Sequence, residues 1–190
     1  MTLTDALARV VPHLHDGDVC VHSNGYMSRA GYAARDTDRS FYMIGSMGLA
    51  SSIGLGLALA EPARRIVVFD GDGNVLMNPG ALCTIAAAAP ANLRHVCFDN
   101  GAHASTGAQR TVSDRVHLDE VARAAGYRSV TRVDAPAALD DVLPPFLAGP
   151  GPSFLLVKID VGPPGAPGVR VPHTPEAMTA RLRRALGHPA

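Results

Sequence analysis

The sequence predicts an α/β fold: a doubly wound, mostly parallel sheet with helices on both faces. Three observations carry this prediction. Short apolar runs alternate with helix-periodic stretches along the whole chain, and such alternation builds a parallel sheet joined by crossovers. The run Ile66-Val67-Val68-Phe69 is continuously apolar, as strands buried on both faces are. Glycine-bearing turns at 45–48, 71–74 and 100–102 each follow a strand-like run. They gather at the carboxyl edge of the sheet, where folds of this kind bind ligands.

The elements follow in order. Leu3, Ala6, Leu7, Val10, Val11 and Leu14 recur at helical spacing, with Thr2 or Thr4 as the cap. Asp18–Ser23 reads as a strand. Asn24–Ser40, polar and rich in Arg and Gly, reads as a loop with at most one helical turn. Phe41–Ile44 is a short strand broken by Gly45-Ser46-Met47-Gly48, and Leu49–Ala60 continues as a helix of small residues. Gly54 and Gly56 each cost this helix roughly 1 kcal/mol relative to Ala, which implies close packing against it. Arg65–Asp70 is the next strand, Pro79–Ala88 a helix stopped by Pro90, and Arg94–Phe98 a strand. Gly101–Thr111 reads as a loop. His117–Ala125 is an amphipathic helix and Arg128–Val133 a strand. Pro136–Leu147 reads as a helix interrupted by Pro144 and Pro145, and Phe154–Val161 as the last strand. Residues 163–172 carry too much Pro and Gly to be regular. Thr174-Pro175-Glu176 opens a terminal helix, with Thr174 as cap and Pro175 at its first position.

Composition narrows the function. The chain has 190 residues, 47% of them hydrophobic, and suits a single domain over 1–190. Seventeen basic and seventeen acidic residues cancel, so neither a nucleic-acid nor an anionic-membrane surface is expected. Cys20, Cys83 and Cys97 are odd in number and widely spaced, which favours a reducing, cytoplasmic setting over a disulfide framework. The start of the chain carries Asp5, Arg9 and Asp16 and does not read as a signal peptide. Its longest apolar stretch, Met47–Ala60, is shorter than a membrane span.

The chemistry concentrates in two strand ends. Ile66–Phe69 runs into Asp70-Gly71-Asp72-Gly73-Asn74, and His95–Phe98 runs into Asp99-Asn100-Gly101. The stretch between them fits one crossover helix and one strand, so both turns lie side by side at the same edge. Asp72 offers a carboxylate oxygen, Asn100 an amide oxygen, and the backbone after Asn100 a carbonyl. An all-oxygen set suits Mg²⁺ completed by phosphate and water. The N-terminus of the helix after Gly73 offers free N–H groups to a diphosphate.

A Gly-Asp-Gly turn followed at this spacing by Asn100, with Gly45-Ser46-Met47-Gly48 upstream, resembles the thiamine diphosphate enzymes. The resemblance implies that Asp72, Asn100 and the carbonyl of Ala102 bind Mg²⁺. It implies that Gly71, Gly73 and Asn74 meet the diphosphate. Gly45, Ser46 and Met47 would hold the aminopyrimidine, with the Met47 side chain enforcing the bent cofactor conformation. Asp99 departs from the pattern, since Asn is usual there, but it is not an expected ligand. The segment Phe41–Gly56 is similar to the β subunit of sulfopyruvate decarboxylase. Asn100-Gly101-Ala102-His103 with Ser105, Gly107 and Gln109 is similar to phosphonopyruvate decarboxylase.

Those resemblances imply a decarboxylase acting on 3-phosphonopyruvate or 3-sulfopyruvate, giving the aldehyde and CO₂. The pyrimidine-activating glutamate of the family belongs to a pyrimidine-binding domain absent from this chain. Glu61, Glu120 and Glu176 lie in other contexts. The chain is therefore expected to be a β-type subunit whose α partner carries that domain, in an α₂β₂ or larger assembly, with the helix after Gly48 as a contact. His103 is a candidate for the active-site wall. His22, Asn24, Ser105, Thr106 and Gln109 are further polar candidates, and Arg29 and Arg35 could attract the anionic substrate. Two other readings stand beside this one: the β chain of a 2-oxo acid oxidoreductase, and a non-catalytic regulatory subunit that keeps the cofactor fold.

Overall fold

The computed structural model describes residues 1–162, 165 and 167–189. The chain opens with helix α1 (Leu3–Val10), which a short 3₁₀ turn (Val11–His13) extends. Thr2 caps α1 in a reciprocal box with Asp5. Then follow β1 (Val19–His22), α2 (Tyr26–Ala34), β2 (Ser40–Tyr42), α3 (Ala50–Ala60), β3 (Ile66–Gly71), α4 (Asp72–Met77), α5 (Gly80–Ala88) and β4 (Leu93–Asp99). After them come β5 (Ala102–His103), β6 (Gln109–Arg110), α6 (Leu118–Ala125), β7 (Ser129–Val133), α7 (Pro136–Ala148), β8 (Ser153–Lys158) and α8 (Pro175–Ala185).

Six strands form one sheet in the order β2-β1-β3-β4-β8-β7, and every neighbouring pair is parallel. Side chains alternate between its faces. Val67 and Phe69 of β3 join Leu7, Val10, Met27, Ala30, Leu139 and Phe146 in one core. Ile66 and Val68 join Ala50, Ala58, Leu82, Ile85, Leu118 and Leu182 in the other. Helices α1, α2 and α7 therefore cover one face, and α3, α5, α6 and α8 the other, so the doubly wound expectation holds. The chain runs outward from β1 to β2 and returns to β3 on the other side. That reversal opens a crevice beyond the ends of β1 and β3, the place where such sheets take ligands.

Four expectations need correction. Asn24–Ser40 is not mainly loop: α2 occupies Tyr26–Ala34. Its polar composition hides a buried stripe of Met27, Ala30 and Gly31. Gly31 lets α2 lie directly on β1, because a Cβ there would stand 2.2 Å from His22 Nδ1. Gly101–Thr111 contains an antiparallel pair, β5 with β6, pairing Ala102 with Arg110. Helix α7 runs through Pro144 and Pro145 without interruption. Both prolines are exposed, so the carbonyls they leave unpaired face water, while Leu139, Leu143, Phe146 and Leu147 anchor the opposite side. The last strand ends at Lys158, and the Asp160 N–H turns instead to the Met1 carbonyl.

The helix of small residues meets its explanation at one glycine only. A Cβ at Gly54 would lie 2.2 Å from Val68 Cγ2, whereas Gly56 has nothing within 4 Å. Thr174 caps α8 with Pro175 in its first turn, as the sequence predicts. Of the irregular stretch 163–172, Pro163, Pro164 and Ala166 lie outside the described residues. No helix among the described residues is long and apolar enough to cross a membrane. Cys20 and Cys97 are buried and Cys83 exposed, all as free thiols, and burial pushes the Cys20 thiol up to about 12.

Candidate active site

A cavity of about 300 Å³ opens at the crevice. Its walls come from the ends of three neighbouring strands. β1 delivers Ser23 and Asn24; β3 delivers Gly71, Asp72, Gly73 and Asn74; β4 delivers Asn100, with Ala102 and His103 just beyond. Met47, Tyr26, Met27, Ser105 and Thr106 also line it. Gly73 is where the walls converge. A Cβ at that position would stand 2.6 Å from His103 Cε1 and 3.2 Å from Met47 Cε, so only glycine leaves both side chains in place.

Asp72 is the first residue of α4 and is 2% exposed. The crossover holds two helices rather than the one the sequence predicts at Pro79–Ala88: a 6-residue α4 precedes α5, and Pro79 lies between them. Burial pushes the Asp72 carboxyl upward, the Thr111 hydroxyl hydrogen bond lowers it, and the nearby Asp99 charge raises it, with a net rise. Thr111 Oγ1 donates to Asp72 Oδ2. Among the described residues no cation pairs with Asp72.

Asn100 Oδ1 accepts the Ala102 N–H at 3.0 Å, which fixes the amide and leaves that oxygen a second lone pair. The donor set that converges is all oxygen, and a buried carboxylate lacking a counter-charge is what a hard cation would relieve. The residues present therefore fit Mg²⁺. No cluster of three or more His, Cys, Asp or Glu side chains that could hold a metal occurs among the described residues.

Asp99, the departure from the family pattern, has its own partners. Its Oδ2 accepts from Lys158 Nζ at 2.7 Å, and its Oδ1 accepts from Ser113 Oγ at 2.8 Å and from the Gly101 N–H at 3.0 Å. It is turned away from ligation and neutralised within the fold.

The expected site residues divide. Met47, Gly71, Asp72, Gly73, Asn74, Asn100, Ala102 and His103 come together around one cavity, with Asn24, Ser105 and Thr106. Gly45 and Ser46 do not line it and lie on its exposed shoulder, with Ser46 at φ 54. Gln109 braces the β5–β6 loop by accepting from Thr106 Oγ1 at 2.8 Å. His22 is buried between Tyr42 and Phe69, with its Nδ1 unpaired, and burial lowers it to about 3. Arg35 pairs with Asp16 at 2.8 Å, and Arg29 lines a separate hollow beside Arg170. Among the described residues no glutamate lines the cavity.

Sequence reasoning missed Thr111, Ser113 and Lys158. The alternation Thr111-Val112-Ser113 placed both hydroxyls on one side, and the register Asp99↔Lys158 follows once β8 is known to lie beside β4.

A parallel doubly wound sheet with an acidic, glycine-walled cavity at its switch point defines a nucleotide- or diphosphate-cofactor domain. Residues 22–157 match the family model described as thiamine pyrophosphate enzyme, C-terminal TPP binding domain, and the chain belongs to that family. It is 44% identical over 181 residues to the phosphonopyruvate decarboxylase of Streptomyces viridochromogenes, covering 95% of this chain and 45% of that protein. It is 44% identical over 158 residues to the sulfopyruvate decarboxylase subunit beta of Methanothermobacter thermautotrophicus, covering 83% of this chain and 82% of that protein. The fold resembles the crystal structure of benzoylformate decarboxylase from Polynucleobacter necessarius at a TM-score of 0.72 and 16% identity, over 85% of this chain and 34% of that one. The chain thus spans less than half of the phosphonopyruvate decarboxylases it matches and most of that β subunit.

Proposed function

We propose that this chain is the diphosphate-binding half of a thiamine diphosphate- and Mg²⁺-dependent decarboxylase. Its substrate is a 2-oxo acid with a second strong anion on C3, 3-phosphonopyruvate or 3-sulfopyruvate. The observation that carries the reading is Asp72: a buried carboxylate without a counter-charge, at the switch point of the sheet and beside Asn100. Similarity to decarboxylases of both substrates supports the reaction class.

In this reading Asp72, Asn100 and the Ala102 carbonyl hold the metal. Thr111 holds the Asp72 carboxylate in one orientation. Gly73 leaves the room a diphosphate needs. Met47 stands over Gly73 from the side of the Gly45–Gly48 turn and supports the bent cofactor. His103 walls the opposite side and faces the substrate. Bound thiamine diphosphate supplies the electron sink for loss of CO₂. The activating glutamate comes from an α partner, which the β-subunit names of several relatives favour. A cofactor held between subunits favours an α₂β₂ or larger assembly, and three widely spaced free cysteines favour a cytoplasmic setting.

Co-expression with the α partner tests this. CO₂ and aldehyde release from one of the two substrates is expected, with loss of release in Asp72→Ala. No release from either substrate refutes the decarboxylase reading, and full activity of Asp72→Ala refutes the metal assignment.

A further inference from the structure

Two asparagines, one in a short helix and one at its C-terminal cap, hold the two peptide groups that flank Gly48 in the turn beside the cavity. The Gly48 N–H donates to Asn74 Oδ1 at 2.7 Å, and Asn78 Nδ2 donates to the Gly48 carbonyl at 3.1 Å. Asn74 and Asn78 belong to α4 and its C-terminal cap, the helix that begins at Asp72. Gly48 itself sits at φ +96, where a Cβ would stand 3.0 Å from Asn78 Cβ. A side chain there would be both strained and crowded.

The orientation of Asn74 is forced from behind. Its Nδ2 donates to Asp70 Oδ1, which also accepts the Gly71 N–H at 2.9 Å. A carboxylate oxygen accepts, so the amide nitrogen faces Asp70 and the amide oxygen faces Gly48. Asp70 Oδ2 lies 3.2 Å from His95 Nε2, and His95 Nδ1 lies 3.2 Å from the Tyr127 hydroxyl. Asp70 and His95 are fully buried. A polar chain five groups long therefore runs from α6's end along one face of the sheet to Gly48. Ser46, two residues upstream, is held at φ 54. Such a conformation persists in a non-glycine residue only when its surroundings over-determine it.

We infer that Asn74, oriented by Asp70, His95 and Tyr127, and Asn78 beside it are positioning residues that lock the Gly45–Gly48 turn to the Asp72 helix. The metal–diphosphate end and the turn that carries Met47 then move as one unit. The side-chain amide of Asn74 bonds the turn on one side and Asp70 on the other. This rests on the thiamine diphosphate reading: the clamp sets where the ring system sits relative to the diphosphate.

Two measurements on the full chain with its partner test it. The first is amide hydrogen exchange at Gly48 and in the β3–β4 ladder, in the unaltered chain, Asn74→Ala and Asn78→Ala. Gly48 should exchange at least about tenfold faster in Asn74→Ala, with the ladder unchanged. Asn78→Ala, which removes only the carbonyl contact, keeps the test valid should Asn74→Ala not fold. The second is binding of thiamine diphosphate against inorganic pyrophosphate, both with Mg²⁺. Asn78→Ala, outside the cavity wall, should weaken thiamine diphosphate about tenfold and leave pyrophosphate unchanged. Equal weakening of both ligands, or unchanged Gly48 exchange, overturns the clamp. An unaltered complex that binds pyrophosphate but not thiamine diphosphate overturns the cofactor reading itself.

Discussion

Replacing Lys158 by Met strands a buried charge. Asp99 is 2% exposed and Lys158 side-chain exposure is 31%. Removing one partner of a fully buried pair costs about 3–5 kcal/mol, and the partly wet ammonium reduces this to about 2–3 kcal/mol. Asp99→Asn is milder, because an amide oxygen still accepts from Ser113 and the Gly101 N–H, and Lys158 can turn to water. Its cost is about 1 kcal/mol. The double variant Asp99→Asn/Lys158→Met has neither charge, so it should cost about 1 kcal/mol rather than the sum. The expected coupling is about 2 kcal/mol, read from urea midpoints in metal-free buffer at constant m. Additive costs would show that Lys158 does not neutralise Asp99, and the account of this departure from the family pattern would fail.

Other outcomes follow from the same geometry. Gly54→Ala forces a Cβ to 2.2 Å from Val68 Cγ2 and should lower stability by about 1–3 kcal/mol. Gly56→Ala, in open space on the same helix, should raise it by about 0.5–1 kcal/mol; thermal unfolding compares the two. His22, lowered to about 3 by burial, stays neutral when folded, while the unfolded chain takes up a proton near about 6.5. Its contribution is therefore full above about pH 6.5 and is lost at about 1.4 kcal/mol per unit as pH falls toward 3. His22→Leu should flatten that limb by about one proton in urea midpoints measured across pH; an unchanged slope refutes the assignment. Gly73→Ala pushes its Cβ into the His103 ring and toward the Met47 methyl. The half-exposed ring can yield, so melting should hardly change, while thiamine diphosphate affinity should fall at least about tenfold by calorimetry.

Much of this was legible in the sequence because backbone rules dictate it. Continuous apolar runs gave the buried strands, and the glycines bracketing Asp72 marked a strand end at the ligand edge. Helix α2 escaped because its buried stripe uses Gly31 and Ala30, which carry little apolar signal, where His22 and Phe69 supply the bulk. The exposed prolines of α7 looked like breakers because their side of the helix is not visible from sequence. Spacing marked Asp72 and Asn100 as candidates, and Met47 entered through the resemblance to the thiamine diphosphate enzymes. Thr111, Ser113, Lys158 and the chain from Tyr127 to Gly48 were not, because each depends on which strands are neighbours. Asp99↔Lys158 and Asp70↔Cys97 are register facts that no local pattern encodes.

The central claim is that Asp72 anchors a cation beneath a diphosphate cofactor. Calorimetric titration of thiamine diphosphate into the chain with its partner, with Mg²⁺ and with a chelator, tests it most directly. Binding should require Mg²⁺ and be lost in Asp72→Ala while the variant keeps its melting temperature. Binding of equal strength with the chelator present, or in Asp72→Ala, would contradict the account.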